Sequence, residues 1–205
     1  MAVSPRLIVS QSDVVSLPNM MNIYDFDGTI HRGDSSFAFY RYCLVRRPYI
    51  ALLWPVQLLG VIAYLFRLID LTKLKEFFYL YFRMIDAEKM ARDFWEKDIP
   101  KNIYPWFYEY HQDDEVLVSA SPEFFLRIAC DKLGIRTLIA SKIDPHTGKA
   151  LGPNCTSREK KHQFLLAFPD AKPENSFFDK DKDLYVSELA KHKYRIVGGI
   201  PREQD

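Results

Sequence analysis

Cysteine is scarce and dispersed: three occur among 205 residues, at positions 43, 130 and 155. No two of them form a C-x-x-C pair, which excludes a thiolate zinc site and a disulfide framework and fits a reducing compartment. The five histidines are scattered as well, which argues against a histidine-built metal centre. Charge of one sign is also lacking, since 28 Lys and Arg stand against 27 Asp and Glu for a net charge of +1. With no basic field, nucleic acid is not an expected partner. There is no Gly-rich nucleotide loop, internal repeat or low-complexity tract. Residues 1–20 lack the basic start and apolar run of a signal peptide. They are expected to form a loosely attached extension with one short strand at Leu7-Ile8-Val9, on a cytoplasmic protein. What remains is a globular composition, 48% hydrophobic and 27% charged, of a length that suits one core domain plus an insertion.

The chain is organised around Tyr24-Asp25-Phe26-Asp27-Gly28-Thr29-Ile30. Asn22-Ile23-Tyr24 reads as a short strand that Gly28 ends. Side chains alternate along a strand, so Asp25 and Asp27 point one way while Tyr24 and Phe26 point the other. Two carboxylates this close raise one another's pKa, and a bound cation reverses that penalty. The pair suits a metal-assisted reaction in which one Asp attacks and the other moves a proton.

From Ser36 to His111 only helical patterns occur, at 36–47, 49–69, 72–84, 86–97 and 100–111. Asp34 or Ser35, the stretch Asp70-Leu71-Thr72, Asp86 and Pro100 supply the starts and breaks. Pro48 to Phe66 carries no charge and is flanked by Arg46, Arg47 and Arg67. Trp54-Pro55, Gln57 and Gly60 argue against a full membrane span, leaving a buried helix or an interfacial one. Val116-Leu117-Val118 is a buried parallel-strand pattern ending at Ser119, with Ser121 or Pro122 opening a helix to Leu133. A hydroxyl and free N–H groups at such a strand end can hold a phosphate. A strand at 135–140 and a hairpin at 141–150 follow. Lys160 and Lys161 then sit in the first turn of a helix, where a cation is disfavoured unless it faces an anion. Ser176-Phe177-Phe178 ends in the acidic run Asp179 to Asp183, followed by a helix at 182–191, a strand at 194–197 and a terminal turn at Gly198-Gly199-Ile200-Pro201.

The string D-F-D-G-T-I after a strand resembles the first motif of the haloacid dehalogenase superfamily, whose members mostly hydrolyse phosphate esters. Ser119 matches its second motif, an apolar strand ending in Ser or Thr. The order of strand, hairpin, Asn154-Cys155 and then lysine resembles the phosphoserine-phosphatase-like branch, subfamily IB. Spacing from Cys155 makes Lys160 the better match to the third motif, with Lys161 the fallback. Asp179 and Asp183 match the fourth, although Phe178 replaces the usual Gly and Lys182 a neutral polar residue. The resemblance covers residues 21–199, with the four motifs in order.

That resemblance implies an α/β fold: a three-layer, Rossmann-like parallel sheet with a helical cap inserted after the first core strand. The core would comprise 21–33 and 112–205, and the cap 34–111. The first strand would be central, between those ending in Ser119 and Asp179. The implied activity is Mg²⁺-dependent phosphomonoester hydrolysis, with Asp25 as nucleophile and Asp27 as acid and base. Ser119 and Lys160 would hold the phosphoryl oxygens, and Ala120 and Thr29 would join the substrate site, Thr29 supporting the nucleophile's loop. Mg²⁺ would be held by Asp25, the main-chain carbonyl of Asp27, Asp179 and Asp183. Asp27 argues against dehalogenation, because relatives with that activity generally lack this acid. A drifted, non-catalytic phosphate-binding or membrane-associated protein is the other alternative, on account of Phe178 and Lys182. The apolar cap with its flanking arginines resembles the branch that includes phosphatidylglycerophosphate phosphatases. This implies a phospholipid head group as substrate and peripheral contact with the inner face of the membrane. A phosphorylated small molecule, phosphoserine-like, is the alternative.

Overall fold

The computed structural model describes residues 21–204. The strands are β1 (Asn22–Tyr24), β2 (Glu115–Pro122), β3 (Thr137–Ser141), β4 (Asn175–Phe178), β5 (His192–Val197) and β6 (Ile200–Gln204). The helices are α1 (Ser35–Arg46), α2 (Trp54–Leu65), α3 (Leu71–Tyr79), α4 (Ala87–Asn102), α5 (Pro105–Tyr110), α6 (Glu123–Leu133), α7 (Arg158–Ala167) and α8 (Leu184–Ser187). The strand expected at Leu7-Ile8-Val9 lies outside the described residues.

The strands form one sheet in the order β3-β2-β1-β4-β5-β6, parallel except for β6. Three residues are enough for β1 because it is bonded on both sides: Ile23 pairs with Val116 and with Ser176. Strand alternation divides the core. Tyr24, Leu117 and Phe177 enter one cluster with Trp106 and Phe107 of α5 and Phe125 of α6. Ile23, Val116 and Val118 enter another with Phe164 of α7 and Val186 of α8. The result is the expected three-layer α/β core with β1 at its centre. Each of these fully buried large side chains contributes roughly 1.5–3 kcal/mol of hydrophobic stabilisation.

Helices α1 to α5 form the insertion between β1 and β2. Aspartates start three of them, as read from sequence: Asp34, Asp70 and Asp86 accept from the backbone N–H of Phe37, Lys73 and Lys89. Pro100 does not start a helix. It lies inside α4, two residues from its end, and the next helix opens at Pro105, where a missing N–H is harmless. The pattern at 49–69 divides into a 3₁₀ segment, Pro48–Leu53, and α2. Pro55 is the cause, since its fixed φ and absent N–H suit a helix start rather than an interior. The 72–84 pattern also breaks, with α3 passing into 3₁₀ turns over Leu80–Met84.

Two expectations near the C-terminus need correction. The helix expected at 182–191 shrinks to a 3₁₀ turn, Asp181–Asp183, and the four-residue α8. The chain turns early because the N–H groups of Lys191 and His192 bond to the carbonyls of Pro173 and Glu174, leading into β5. Gly198 and Gly199, both at positive φ, make the tight turn of a hairpin. Ile200–Gln204 then returns as the antiparallel edge strand β6 rather than ending in a turn.

The inner face of the insertion is aromatic. Phe39 stacks on Phe125 at 4.7 Å, Trp95 lies 4.6 Å from Phe125, and the Trp95 indole N–H donates to the Phe125 carbonyl at 2.8 Å. His31, just past the acidic strand end, bonds Asp98 of α4 at 2.6 Å and the Gly33 carbonyl at 3.2 Å. Both ring nitrogens therefore face acceptors. Burial opposes the charged ring, but Asp98 prevails and raises the His31 pKa.

The outer face differs. Of Pro48–Leu65, which has a mean hydropathy of 1.6, only Ile50 and Gly60 are buried. Gly60 is needed there, because a Cβ would lie 2.6 Å from the Phe77 ring and push α2 off α3. Leu58, Leu59, Leu65 and Phe66 are exposed, the last at 74%. Of the two readings of this segment, the buried helix is not the one observed.

Candidate active site

Asp25 follows β1, and its N–H is held by the Phe177 carbonyl at 2.9 Å. The chain then folds back on itself, with the N–H groups of Thr29 and His31 both bonding the Phe26 carbonyl. Gly28 takes φ +87° in this turn, and a Cβ on it would lie 2.2 Å from Asp179 Oδ2. Only glycine lets the acidic loop after β4 close against the loop after β1.

That closure gathers charge. Lys160 is 1% exposed, and its ammonium lies 2.5 Å from Asp25 Oδ1 and 2.6 Å from Asp183 Oδ1. Burial disfavours the charged lysine, but Asp25 and Asp183 outweigh it and raise its pKa. Their attraction also explains a cation in the first turn of α7, a helix end that repels cations. Lys161 instead points to Glu188 at 3.5 Å, away from the site.

Asp25, Asp179 and Asp183 offer carboxylate oxygens that all lie within 4.8 Å of one another. Burial, then the charge of Asp25, raises the pKa of both Asp179 and Asp183. Asp179 Oδ1 and Asp183 Oδ2 are buried without a hydrogen-bond partner. Buried, unsatisfied carboxylate oxygens beside a third carboxylate fit a hard divalent cation, which takes oxygen ligands. Phe178 in place of Gly has not displaced this loop: its side chain is buried and Asp179 still reaches the cluster.

Asp27 is held apart from that cluster. Its Oδ1 accepts from the Ser35 N–H at 2.7 Å and its Oδ2 from the Ser121 hydroxyl at 2.5 Å. Burial, then the charge of Asp34, raises its pKa, which favours a proton on this carboxyl. The two aspartates thus have opposite surroundings, one against a lysine and the other among hydroxyl, amide and acid.

The remaining candidates are distributed as follows. Ser119 is buried near the end of β2, its hydroxyl accepting from the Ser121 N–H at 3.2 Å. Ala120 is half-buried, and its carbonyl accepts from Lys75 of α3 at 2.6 Å. Thr29 is fully buried, with its hydroxyl donating to Asp25 Oδ2 at 3.4 Å. It bonds Asp25 from within the loop after β1 and is not among the residues that line the cavity beside Asp27.

Two residues escaped the sequence reading in this role. Ser121 was read as a turn or helix-start residue. It lies two positions after Ser119 on an extended strand, hence on the same side, and that period was the available signal. Lys75 carries no signal, since nothing in Leu74-Lys75-Glu76 separates a site lysine from a solvated one. A cavity of about 480 Å³ joins these groups. At its core end are Asp27, Ala120, Ser121 and Asn154, and at its cap end Val61, Leu71, Leu74 and Phe78.

The family model of the haloacid dehalogenase-like hydrolases matches residues 23–186, and the chain belongs to that family. Membership of that family makes it a hydrolase by class. No curated protein matches the chain. Among solved structures it is similar to a protein of unknown function from Bordetella pertussis Tohama I (15% identity, TM-score 0.69, covering 87% of this chain and 90% of that one). It is also similar to a phosphoserine phosphohydrolase-like protein from Francisella tularensis (14%, TM-score 0.53, 88% of each chain). A third is a probable phosphoserine phosphatase from Vibrio cholerae (12%, TM-score 0.59, 85% of this chain and 55% of that one). At these identities the likeness is one of fold.

Proposed function

We propose that the protein hydrolyses a phosphomonoester through an aspartyl-phosphate on Asp25. The observation that carries this reading is the meeting of Asp25 with Lys160, Asp179 and Asp183 at one sheet edge, with the protonatable Asp27 beside them. Asp25 attacks the phosphorus and the bond to the leaving oxygen breaks, while Asp27 gives that oxygen its proton. Asp27 then takes a proton from the water that attacks the acyl phosphate, releasing phosphate and restoring Asp25. Lys160 and Ser119 hold phosphoryl oxygens. Bound Mg²⁺, held by Asp25, Asp179, Asp183 and the main-chain carbonyl of Asp27, would offset the repulsion between carboxylate and phosphate.

The substrate in this reading is lipid-linked, met at the cytoplasmic face of a membrane. Its support is the exposed apolar segment 48–66, flanked in sequence by Arg46 and Arg47 before it and Arg67 after it, which suits a segment lying in an anionic interface. Each arginine adds about 1 kcal/mol near such a surface. The cavity supports the same reading, because its cap end is apolar where the leaving group must lie.

The test is turnover of a chromogenic phosphate ester, abolished by EDTA and restored by Mg²⁺, with Asp25→Asn as blank. Activity in Asp25→Asn equal to that of the native chain would refute the mechanism. Sedimentation with anionic vesicles, together with turnover of lipid and water-soluble phosphates, tests the substrate. A chain that stays in the supernatant and prefers soluble esters is a phosphatase of small metabolites.

A further inference from the structure

The cavity holds a cation whose hydrogen-bond partners are both neutral. Lys75 gives ammonium protons to two neutral oxygens, the Ala120 carbonyl at 2.6 Å and Asn154 Oδ1 at 2.7 Å. It forms no ion pair among the described residues, and an ammonium has a third donor. Asn154 is not free to turn away, because its Oδ1 also accepts from the Ser141 hydroxyl at 3.0 Å. Nor is α3, since Glu76 accepts from the Ala150 N–H at 3.0 Å and the Phe78 carbonyl accepts from Gln57 at 3.1 Å. Lys75 is therefore held at the junction of the core and cap ends of the cavity.

A second cation faces the same space from the core. Lys180 and Lys182, in the loop after β4, both line the cavity. Lys180 is engaged with Asp179 at 3.2 Å, whereas Lys182 makes no hydrogen bond or ion pair among the described residues. Burial, then repulsion from Lys182, lowers the Lys75 pKa to about 8. The acids lining the cavity accept hydrogen bonds from neutral groups, Asp27 from Ser35 and Ser121 and Asp34 from the Phe37 N–H, and both favour the charge on Lys75. Two lysines without an ion pair among the described residues thus line one cavity, together with Asp34 and the acid that protonates the leaving group.

We propose that Lys75 and Lys182 form an anion subsite for a second negatively charged group on the leaving-group side of the substrate. The preferred substrate is then a phosphomonoester that also carries a carboxylate or a phosphodiester, placed between the ester and any apolar tail. This rests on reading Asp25 and Asp27 as the phosphatase pair. Lys75 lies outside the four motifs, and Lys182, though within the fourth, is not one of its carboxylates, so the subsite sets specificity rather than chemistry.

The test compares the full-length protein with Lys75→Met and Lys182→Met. The esters are a simple alkyl phosphate, its carboxyalkyl counterpart and a counterpart bearing a glycerophosphodiester. The corresponding non-hydrolysable phosphonates serve for calorimetric binding. The native chain is expected to prefer an anionic counterpart, the preferred arm identifying the group. Lys75→Met should reduce that preference about tenfold or more through KM, the scale of one charge-assisted hydrogen bond, with a smaller loss in Lys182→Met. Absence of preference in the native chain, or full preference retained in Lys75→Met, overturns the proposal. Should circular dichroism show Lys75→Met unfolded, the exposed Lys182→Met decides, and unchanged preference there overturns it. If no ester is hydrolysed, the phosphatase reading fails, while the phosphonate comparison still decides the subsite.

Discussion

The two ends of the cavity are built on different terms. At the core end Ser121 bonds Asp27, and the neighbouring loops bring Lys160 onto Asp25 and Asp183 and Asp179 against Gly28. At the cap end, aliphatic and aromatic side chains from α2 and α3 supply a wall, with Lys75 and Gln57 as the polar exceptions. Strands in register set the loops of the core end, and the burial of Asp25, Lys160 and Asp183 strengthens their electrostatics. The cap end has shape and apolarity but few directional bonds. In the proposed reading chemistry resides at one end and selectivity at the other, and mutation should separate the two.

The largest expected effect lies at the core end. Lys160→Met should lower kcat/KM by more than about a hundredfold, since it removes a buried phosphate-holding cation and leaves Asp25 and Asp183 uncompensated. Lys161→Met, one residue on, should change it by less than about twofold, as expected of a screened surface pair. Equal effects would erase the distinction between the two lysines. Next comes Asp27→Asn, expected to slow turnover roughly 10²–10⁴-fold, the usual worth of acid–base assistance. Steady-state kinetics on an ester with a good leaving group should shrink this loss, because such a group needs less protonation.

A contrasting result belongs to the cap. Serine at Leu58, Leu65 and Phe66 together should abolish sedimentation with anionic vesicles and leave turnover of a soluble ester within about twofold, as these side chains are exposed and touch no reacting group. Loss of soluble turnover would mean that the outer face of α2 shapes the site.

The smallest effect concerns how the two ends are joined. The raised His31 pKa means that its pairing with Asp98 stabilises the fold fully below about pH 6.5. That contribution is lost as pH rises through the higher folded value. Asp98→Asn should therefore destabilise the protein by about 3 kcal/mol near pH 6, and by less near pH 9. Denaturant melts at the two pH values would show it, and a pH-independent difference would mean that His31 is neutral in the fold.

Much of the core end was readable before folding. The alternation of Asp25 and Asp27, the strand end at Ser119 and the spacing of Asp179 and Asp183 are local patterns of extended chain, where side-chain direction follows from position alone. The helix starts at Asp34, Asp70 and Asp86 were readable for the same reason, because a side chain bonding an N–H three residues on is a local event. Pro100 misled because proline favours a helix start, whereas here it sits within the last turn of α4, a position that its missing N–H disfavours. Strand β6 was hidden because an exposed edge strand containing Pro201 has no apolar pattern and exists only through its pairing with β5.

By itself, then, the sequence determined the class of fold through its short-range periodicity, and the family and the candidate carboxylates through the resemblance of four motifs in order. Only tertiary structure separated Lys160 from Lys161, turned the α2 segment outward and brought Lys75 across to Ala120 and Asn154. Those outcomes depend on which distant surface a helix face meets, and helices of similar composition can be buried or exposed according to the partner that the fold supplies.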